Sequence, residues 1–149
     1  MEDKKIPLEI ERKFLVRFPD IGVLDKLCFS RSEIIQTYLV NTNEDSSSRI
    51  RLRNTDGLIE YTKTEKKRVS DMTRIEHEDD INRDEYEKLL LTADPDLRTI
   101  EKTRWCISYK SLVLEVDVFP FWKDRAFLEI ELESEDRWRR QRTKIECDD

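Results

Sequence analysis

Leu8-Glu9-Ile10-Glu11-Arg12-Lys13-Phe14 places charge at Glu9, Glu11 and Lys13 and a mostly apolar set at Ile10, Arg12 and Phe14. Side chains alternate across a β-strand, so this spacing predicts a strand with one charged face. The same period returns along the chain. Arg49, Arg51 and Arg53 alternate with Ile50 and Leu52; Lys102 and Arg104 alternate with Trp105 and Ile107. Glu115 and Asp117 lie opposite Leu114, Val116 and Val118, and Glu129, Glu131 and Glu133 opposite Leu128, Ile130 and Leu132. Arg74, Glu76 and Glu78 lie opposite Ile75, and Tyr61 and Lys63 share a parity less cleanly because Ile59 shares it too.

The strand-like segments number eight: Leu8–Val16, Ile34–Val40, Ser48–Arg53, Leu58–Thr64, Thr73–Ile81, Arg98–Ile107, Leu112–Phe119 and Phe127–Ser134. Asn54-Thr55-Asp56-Gly57 and Tyr109-Lys110-Ser111 leave no room for a crossover helix, so the strands they join are antiparallel. Asp20 is placed to cap a helix over Ile21–Cys28. Asn82, with Glu85 three residues on, opens a second helix, Ile81 and Tyr86 are spaced as its hydrophobic staple, and Leu89 and Leu90 are expected to face the sheet before Pro95 stops it. The expected class is α+β, mainly antiparallel β: one domain over residues 1–149, with residues 135–149 a short basic tail.

Charged residues make up 42% of the 149 and the hydrophobic set 37%, against about a quarter charged in an average globular domain. Strict apolar periodicity argues against disorder, so the charge must sit on organised faces. The net charge of −6 and pI near 5.1 speak against a nucleic-acid partner, which wants a basic footprint. No apolar run is long enough to span a bilayer, and no membrane association is expected. Cys28, Cys106 and Cys147 form neither a zinc spacing nor a disulfide framework, which points to a reducing cytoplasm.

A wet outer face of an antiparallel sheet would also be polar. The segregation of sign weakens that reading. Like charges two apart on a strand lie about 7 Å apart and repel by about 0.6 kcal/mol in water, but by about 2.4 kcal/mol at an effective dielectric near 20. Inside a closed or cupped eight-stranded barrel such rows need counter-charges. Arg49, Arg51, Arg53, Lys63, Lys102 and Arg104 suit a polyanion, since guanidinium forks match phosphate oxygens. Glu9, Glu11, Glu115, Asp117, Glu129 and Glu131 are hard oxygen ligands of the kind Mg²⁺ or Mn²⁺ takes. A short phosphate chain also fits the bore of an eight-stranded barrel.

Glu9-x-Glu11-x-Lys13, followed by Gln36-Thr37-Tyr38-Leu39, Arg49-Ile50-Arg51-Leu52-Arg53, Tyr61-Thr62-Lys63, Arg74-Ile75-Glu76-His77-Glu78, Lys102-Thr103-Arg104, Glu115-Val116-Asp117 and Leu128-Glu129-Ile130-Glu131-Leu132-Glu133, resembles the CYTH superfamily, the triphosphate tunnel metalloenzymes, over about Leu8 to Ser134. The resemblance implies an eight-stranded antiparallel tunnel with helices packed outside. It implies that Arg49, Arg51, Lys63, Lys102 and Arg104 bind a triphosphate, joined by Lys13, Arg53 and Arg74, and that Glu9, Glu11, Asp117, Glu129 and Glu131 hold divalent metal. Glu76, Glu78 and Glu115 stay open between ligand and ion-pair partner. Glu9, Glu11 and Lys63 are the candidate catalytic residues. The family pattern often continues into a helix that closes the tunnel; here a basic segment around Arg137-Trp138-Arg139-Arg140 follows, so closed tunnel and open cup both stand.

The expected function is metal-dependent hydrolysis of a triphosphate or polyphosphate, inorganic tripolyphosphate first. The alternatives are class IV adenylyl cyclase, thiamine or nucleoside triphosphatase, and a non-catalytic polyphosphate-binding module. The resemblance also implies a homodimer.

Overall fold

A computed structural model of the chain describes residues 8–41 and 43–132, with the side chains of residues 8–11 and 132 outside that description. The tail at 135–149 and Glu133 also lie outside the described residues. Within them the elements run β1 (Leu8–Arg17), α1 (Ile21–Leu27), β2 (Ser30–Tyr38), β3 (Ser46–Thr55), β4 (Leu58–Arg68), β5 (Thr73–Ile81), α2 (Arg83–Leu90), β6 (Ile100–Tyr109), β7 (Leu112–Val118) and β8 (Arg125–Leu132). Every strand predicted from period two is present. β2 begins four residues earlier than Ile34, since Ser30 and Ser32 carry no apolar signal yet pair with Cys106 and Arg104.

The sheet is antiparallel and closes on itself in the order β1-β5-β4-β3-β2-β6-β7-β8. β1 is the closing stave, pairing with β8 from Ile10 to Arg17 and with β5 over Leu8, Glu9 and Ile10. Closure leaves no open edge and gives the barrel an inside and an outside.

The two tight hairpins set the register. Asp56 and Gly57 hold positive φ, 51° and 89°, between the paired Thr55 and Leu58, and Gly57 donates its N–H to Asn54 Oδ1 at 2.8 Å. Such a two-residue turn matches the strand twist. Lys110 and Ser111 do the same between Tyr109 and Leu112, with φ 44° and 66°.

The apolar core lies outside the barrel wall rather than along its axis. Leu24 of α1 packs with Trp105, Val116 and Ala126; Trp105 Nε1 donates to Asp25 Oδ1 at 2.8 Å and ties α1 to β6. On the other side Tyr86 of α2 packs with Leu39 and Ile50, with Ile81 and Leu89 beside them. Both caps form as the sequence predicts: Asp20 accepts from Val23 N–H and Asn82 from Glu85 N–H. Leu90, expected against the sheet, is instead exposed; Tyr86 and Leu89, three apart, are the residues that share the buried stripe. Among the described residues no helix is long and apolar enough to cross a membrane.

Candidate anion and metal site

With apolar residues turned outward, the opposite parity lines a central cavity of about 430 Å³, within the size range of ligand pockets. Arg49, Arg51 and Arg53 of β3 form one wall, next to Gln36 and Tyr38 of β2. Lys102 and Arg104 of β6 continue it, and Lys66 of β4 and Lys13 of β1 add cations. Glu76 and Glu78 of β5, Glu115 and Asp117 of β7, and Glu129 and Glu131 of β8 supply the acids.

Lys63, expected at this site, is not part of the lining. A two-residue turn pairs an odd-numbered residue with an even-numbered one, so Arg51 faces Thr62 and Ile50 faces Lys63. Lys63 therefore lies on the outer face with buried Ile50 and pairs with Glu65 at 3.3 Å. Thr62 and Thr64 are buried at the inward positions, and Lys66 takes the cavity place the sequence reading assigned to Lys63. The Asp56-Gly57 turn was the signal that could have settled this parity. Arg74 shares the parity of Glu76 and Glu78 but lies off the cavity lining, at a register position opposite Glu9 and Arg68.

Charge is crowded here. Burial lowers the Arg51 pKa; Glu78, 2.9 Å away, opposes that, while Arg104, Arg49 and Arg53 depress it further. The Nε atoms of Arg49 and Arg51 and the Thr62 hydroxyl are buried with no hydrogen-bond partner among the described residues. Buried donors are normally satisfied, so these are costly groups in an already crowded wall. Arg53 is better anchored, with Nε donating to Ser32 Oγ at 2.9 Å.

The acidic side is built around Asp117, which is 1% exposed. Arg104 binds it through Nε at 2.7 Å and a terminal nitrogen at 2.9 Å, and Lys102 approaches at 2.9 Å. Burial alone would raise the Asp117 pKa, but Arg104 and Lys102 hold it below the ordinary carboxylate range. Burial and the Arg104 charge pull Lys102 down to about 8. Glu115, 2.6 Å from Arg104, is pushed up by burial, and Glu129 and Asp117 add to that.

The chemistry of these donors suits a hard divalent cation. Glu115 pairs with Glu129 across β7 and β8, Lys13 meets Glu129 at 3.3 Å, and Glu131 pairs in register with Glu11. Burial, with Glu129 and Asp117, raises the Glu115 pKa against the opposing pull of Arg104, and a cation among these acids would offset their mutual repulsion. The side chains of Glu9 and Glu11 lie outside the described residues. Among the described residues no three acidic, histidine or cysteine side chains already converge as a metal cluster; Asp117 is paired with Arg104 and Lys102, and Glu115 with Arg104. His77 is exposed, and buried Cys106 receives a long contact from Arg53 at 3.7 Å; neither is placed as a nucleophile.

The aromatic side of the cavity was not anticipated. Phe119, Phe121 and Phe127 join the lining; only Phe127 and Phe119 fall within predicted strands, and loop residue Phe121 carries no periodic signal.

The CYTH domain family model matches residues 7–145. No curated protein matches the chain. Among solved structures, the chain is similar to the PH1819 protein of Pyrococcus horikoshii, with a TM-score of 0.68 and 22% identity over 93% of this chain and 86% of that one. It is also similar to a candidate adenylate cyclase of Bacillus halodurans, with a TM-score of 0.64 and 16% identity over 93% and 88%. An adenylyl cyclase candidate of Hippeastrum, described as having a dominant triphosphatase activity, matches with a TM-score of 0.58 and 16% identity over 92% and 85%. At these identities the structural likenesses establish the fold.

Proposed function

The chain belongs to the CYTH domain family, and on that premise we propose that it is a divalent-metal-dependent triphosphatase acting inside its barrel. The family includes triphosphatases and adenylyl cyclases and is generally dependent on divalent metal. The observation that carries the reading is the row of Arg49, Arg51 and Arg53 lining one cavity with Lys66, Lys102 and Arg104, in which Arg49, Arg53 and Arg104 repel Arg51 and a polyanion would supply the counter-charge.

Arg49, Arg51 and Arg53 would hold phosphate oxygens from one wall, with Lys66, Lys102 and Arg104 from the adjoining staves. Glu115, Glu129 and Glu131, with Glu9 and Glu11 of β1, would hold Mg²⁺ or Mn²⁺. The metal, when bound, supplies charge neutralisation at the phosphates and acidity to a water. The rest is positioning, which dominates phosphoryl transfer. The basic wall fixes the phosphate chain in line. A cavity carboxylate left free of metal would accept the proton of the attacking water, and Lys102, its pKa lowered to about 8, is suited to supply one to the leaving oxygen. Inorganic tripolyphosphate needs nothing beyond this charged wall and is the simplest substrate.

The test is product analysis. The chain is incubated with Mg²⁺ or Mn²⁺ and either tripolyphosphate or ATP. Orthophosphate with pyrophosphate from tripolyphosphate is the expected result. Cyclic AMP from ATP would replace the hydrolase by a cyclase, and tight binding without product would make it a binding module.

A further inference from the structure

Most cations of the cavity wall are steadied by carboxylates. Lys13 meets Glu129, Arg51 meets Glu78, Lys102 meets Asp117, and Arg104 meets Glu115 and Asp117. Each of those acids fixes its cation and also offsets its charge. Arg53 is steadied by neutral groups. Its Nε donates to Ser32 Oγ at 2.9 Å, and a terminal nitrogen reaches Cys106 Sγ at 3.7 Å. Ser32 lies on β2, Arg53 on β3 and Cys106 on β6, which are adjacent staves of the barrel. Glu60, opposite Arg53 in register on β4, is exposed.

The Ser32 hydroxyl is itself pinned. Ser32 is 1% exposed, and Thr55 Oγ1 lies 2.7 Å from its Oγ. Thr55 follows Arg53 by one strand period on β3, so both stand on the same face. A guanidinium can only donate, so Ser32 accepts from Arg53, and the contact with Thr55 fixes a hydroxyl that would otherwise rotate.

A hydroxyl can hold a cation without cancelling its charge. The guanidinium is a rigid planar fork. Engaging Nε and one terminal nitrogen sets its plane and leaves the edge between the two terminal nitrogens for an oxyanion. We propose that Ser32 is a positioning residue which, backed by Thr55, presents the Arg53 guanidinium in a fixed plane to a phosphate in the cavity. Cys106 is the weaker holder, since sulfur is a poor acceptor. The inference rests on the triphosphate reading above and assigns a role to a residue that touches no phosphate itself.

The test is a double-mutant cycle read as tripolyphosphate affinity in Mg²⁺ by calorimetric titration. Ser32→Ala and Thr55→Val are each made in the wild-type chain and in Arg53→Ala. Valine keeps the shape of threonine and removes only the hydroxyl. Arg49, Arg51 and Lys102 remain on the wall in Arg53→Ala, so its binding stays measurable. The expected result is a loss of about tenfold for Ser32→Ala and a smaller loss for Thr55→Val. Neither should change the affinity further once Arg53 is alanine, because the two residues act through it. Equal losses with and without Arg53 would make Ser32 a structural wall residue and overturn the proposal. An affinity left unchanged by Ser32→Ala or by Arg53→Ala overturns it too. Failure of the wild type to bind tripolyphosphate overturns the triphosphate reading and the proposal with it.

Discussion

Arg104 grips Asp117 at two points, Nε to Oδ1 at 2.7 Å and a terminal nitrogen to Oδ2 at 2.9 Å, inside the barrel and across neighbouring staves. Both side chains are nearly inaccessible, at 9% and 1%. Breaking a buried pair costs more than the pair contributes, because the remaining charge is stranded. Arg104→Met should therefore destabilise the fold by about 3–5 kcal/mol, read as a lower denaturant midpoint at constant slope. An unchanged midpoint would mean that Lys102 alone suffices for Asp117.

Lys102 sets a pH dependence. Its folded pKa of about 8 lies below its ordinary value of 10.5, so between those values the folded chain holds fewer protons than the unfolded one. Stability then rises with pH through that window, and below pH 8 the full burial penalty of the ammonium is felt. The stability difference between wild type and Lys102→Met, measured by urea unfolding from pH 7 to 10, should change in that direction. A flat difference would contradict the assignment.

The arginine row on the cavity wall makes a binding prediction. Removing a hydrogen bond to a charged group costs about 1.5–3 kcal/mol, so Arg49→Ala and Arg51→Ala should each weaken tripolyphosphate binding by roughly ten- to a hundredfold. Calorimetric titration checks this. Arg51→Ala should also relieve repulsion from Arg49, Arg53 and Arg104, so its binding defect should not be matched by a loss of stability.

Lys63 and Lys66 separate the two faces of β4. Lys63→Ala should leave triphosphate turnover near wild type, since Lys63 lies on the face of Ile50. Lys66→Ala should lower it, since Lys66 lines the cavity. The reverse ranking of kcat/KM would invert the parity assigned to this strand.

Glu129→Gln and Glu131→Gln should weaken Mn²⁺ binding, followed by the electron paramagnetic resonance of free Mn²⁺, and should lower turnover with it. A chelator should stop hydrolysis without unfolding the chain, because ladder pairing and the external apolar clusters hold the barrel. Unfolding on chelation would assign the metal a structural role.

The alternation in Glu9-x-Glu11-x-Lys13, Arg49-x-Arg51-x-Arg53 and Glu129-x-Glu131 was legible in the chain because strand side chains obey a period of two whatever surrounds them. Antiparallel hairpins, both helix caps and the cavity places of Arg49, Arg51, Lys102, Arg104, Glu115 and Asp117 followed from that period and from turn chemistry. The period names two faces without saying which is inside. For β4, where Ile59, Tyr61 and Lys63 share one parity, composition is ambiguous, and the register that the Asp56-Gly57 turn sets against β3 turns Thr62, Thr64 and Lys66 inward. The clamp of Arg104 and Lys102 on Asp117, and the approach of Lys13 to Phe127 and of Lys102 to Phe119, join residues on different staves or in a loop. Those relations exist only once closure of the barrel brings the strands around one axis, since no local propensity records the distance between residues that meet across a sheet.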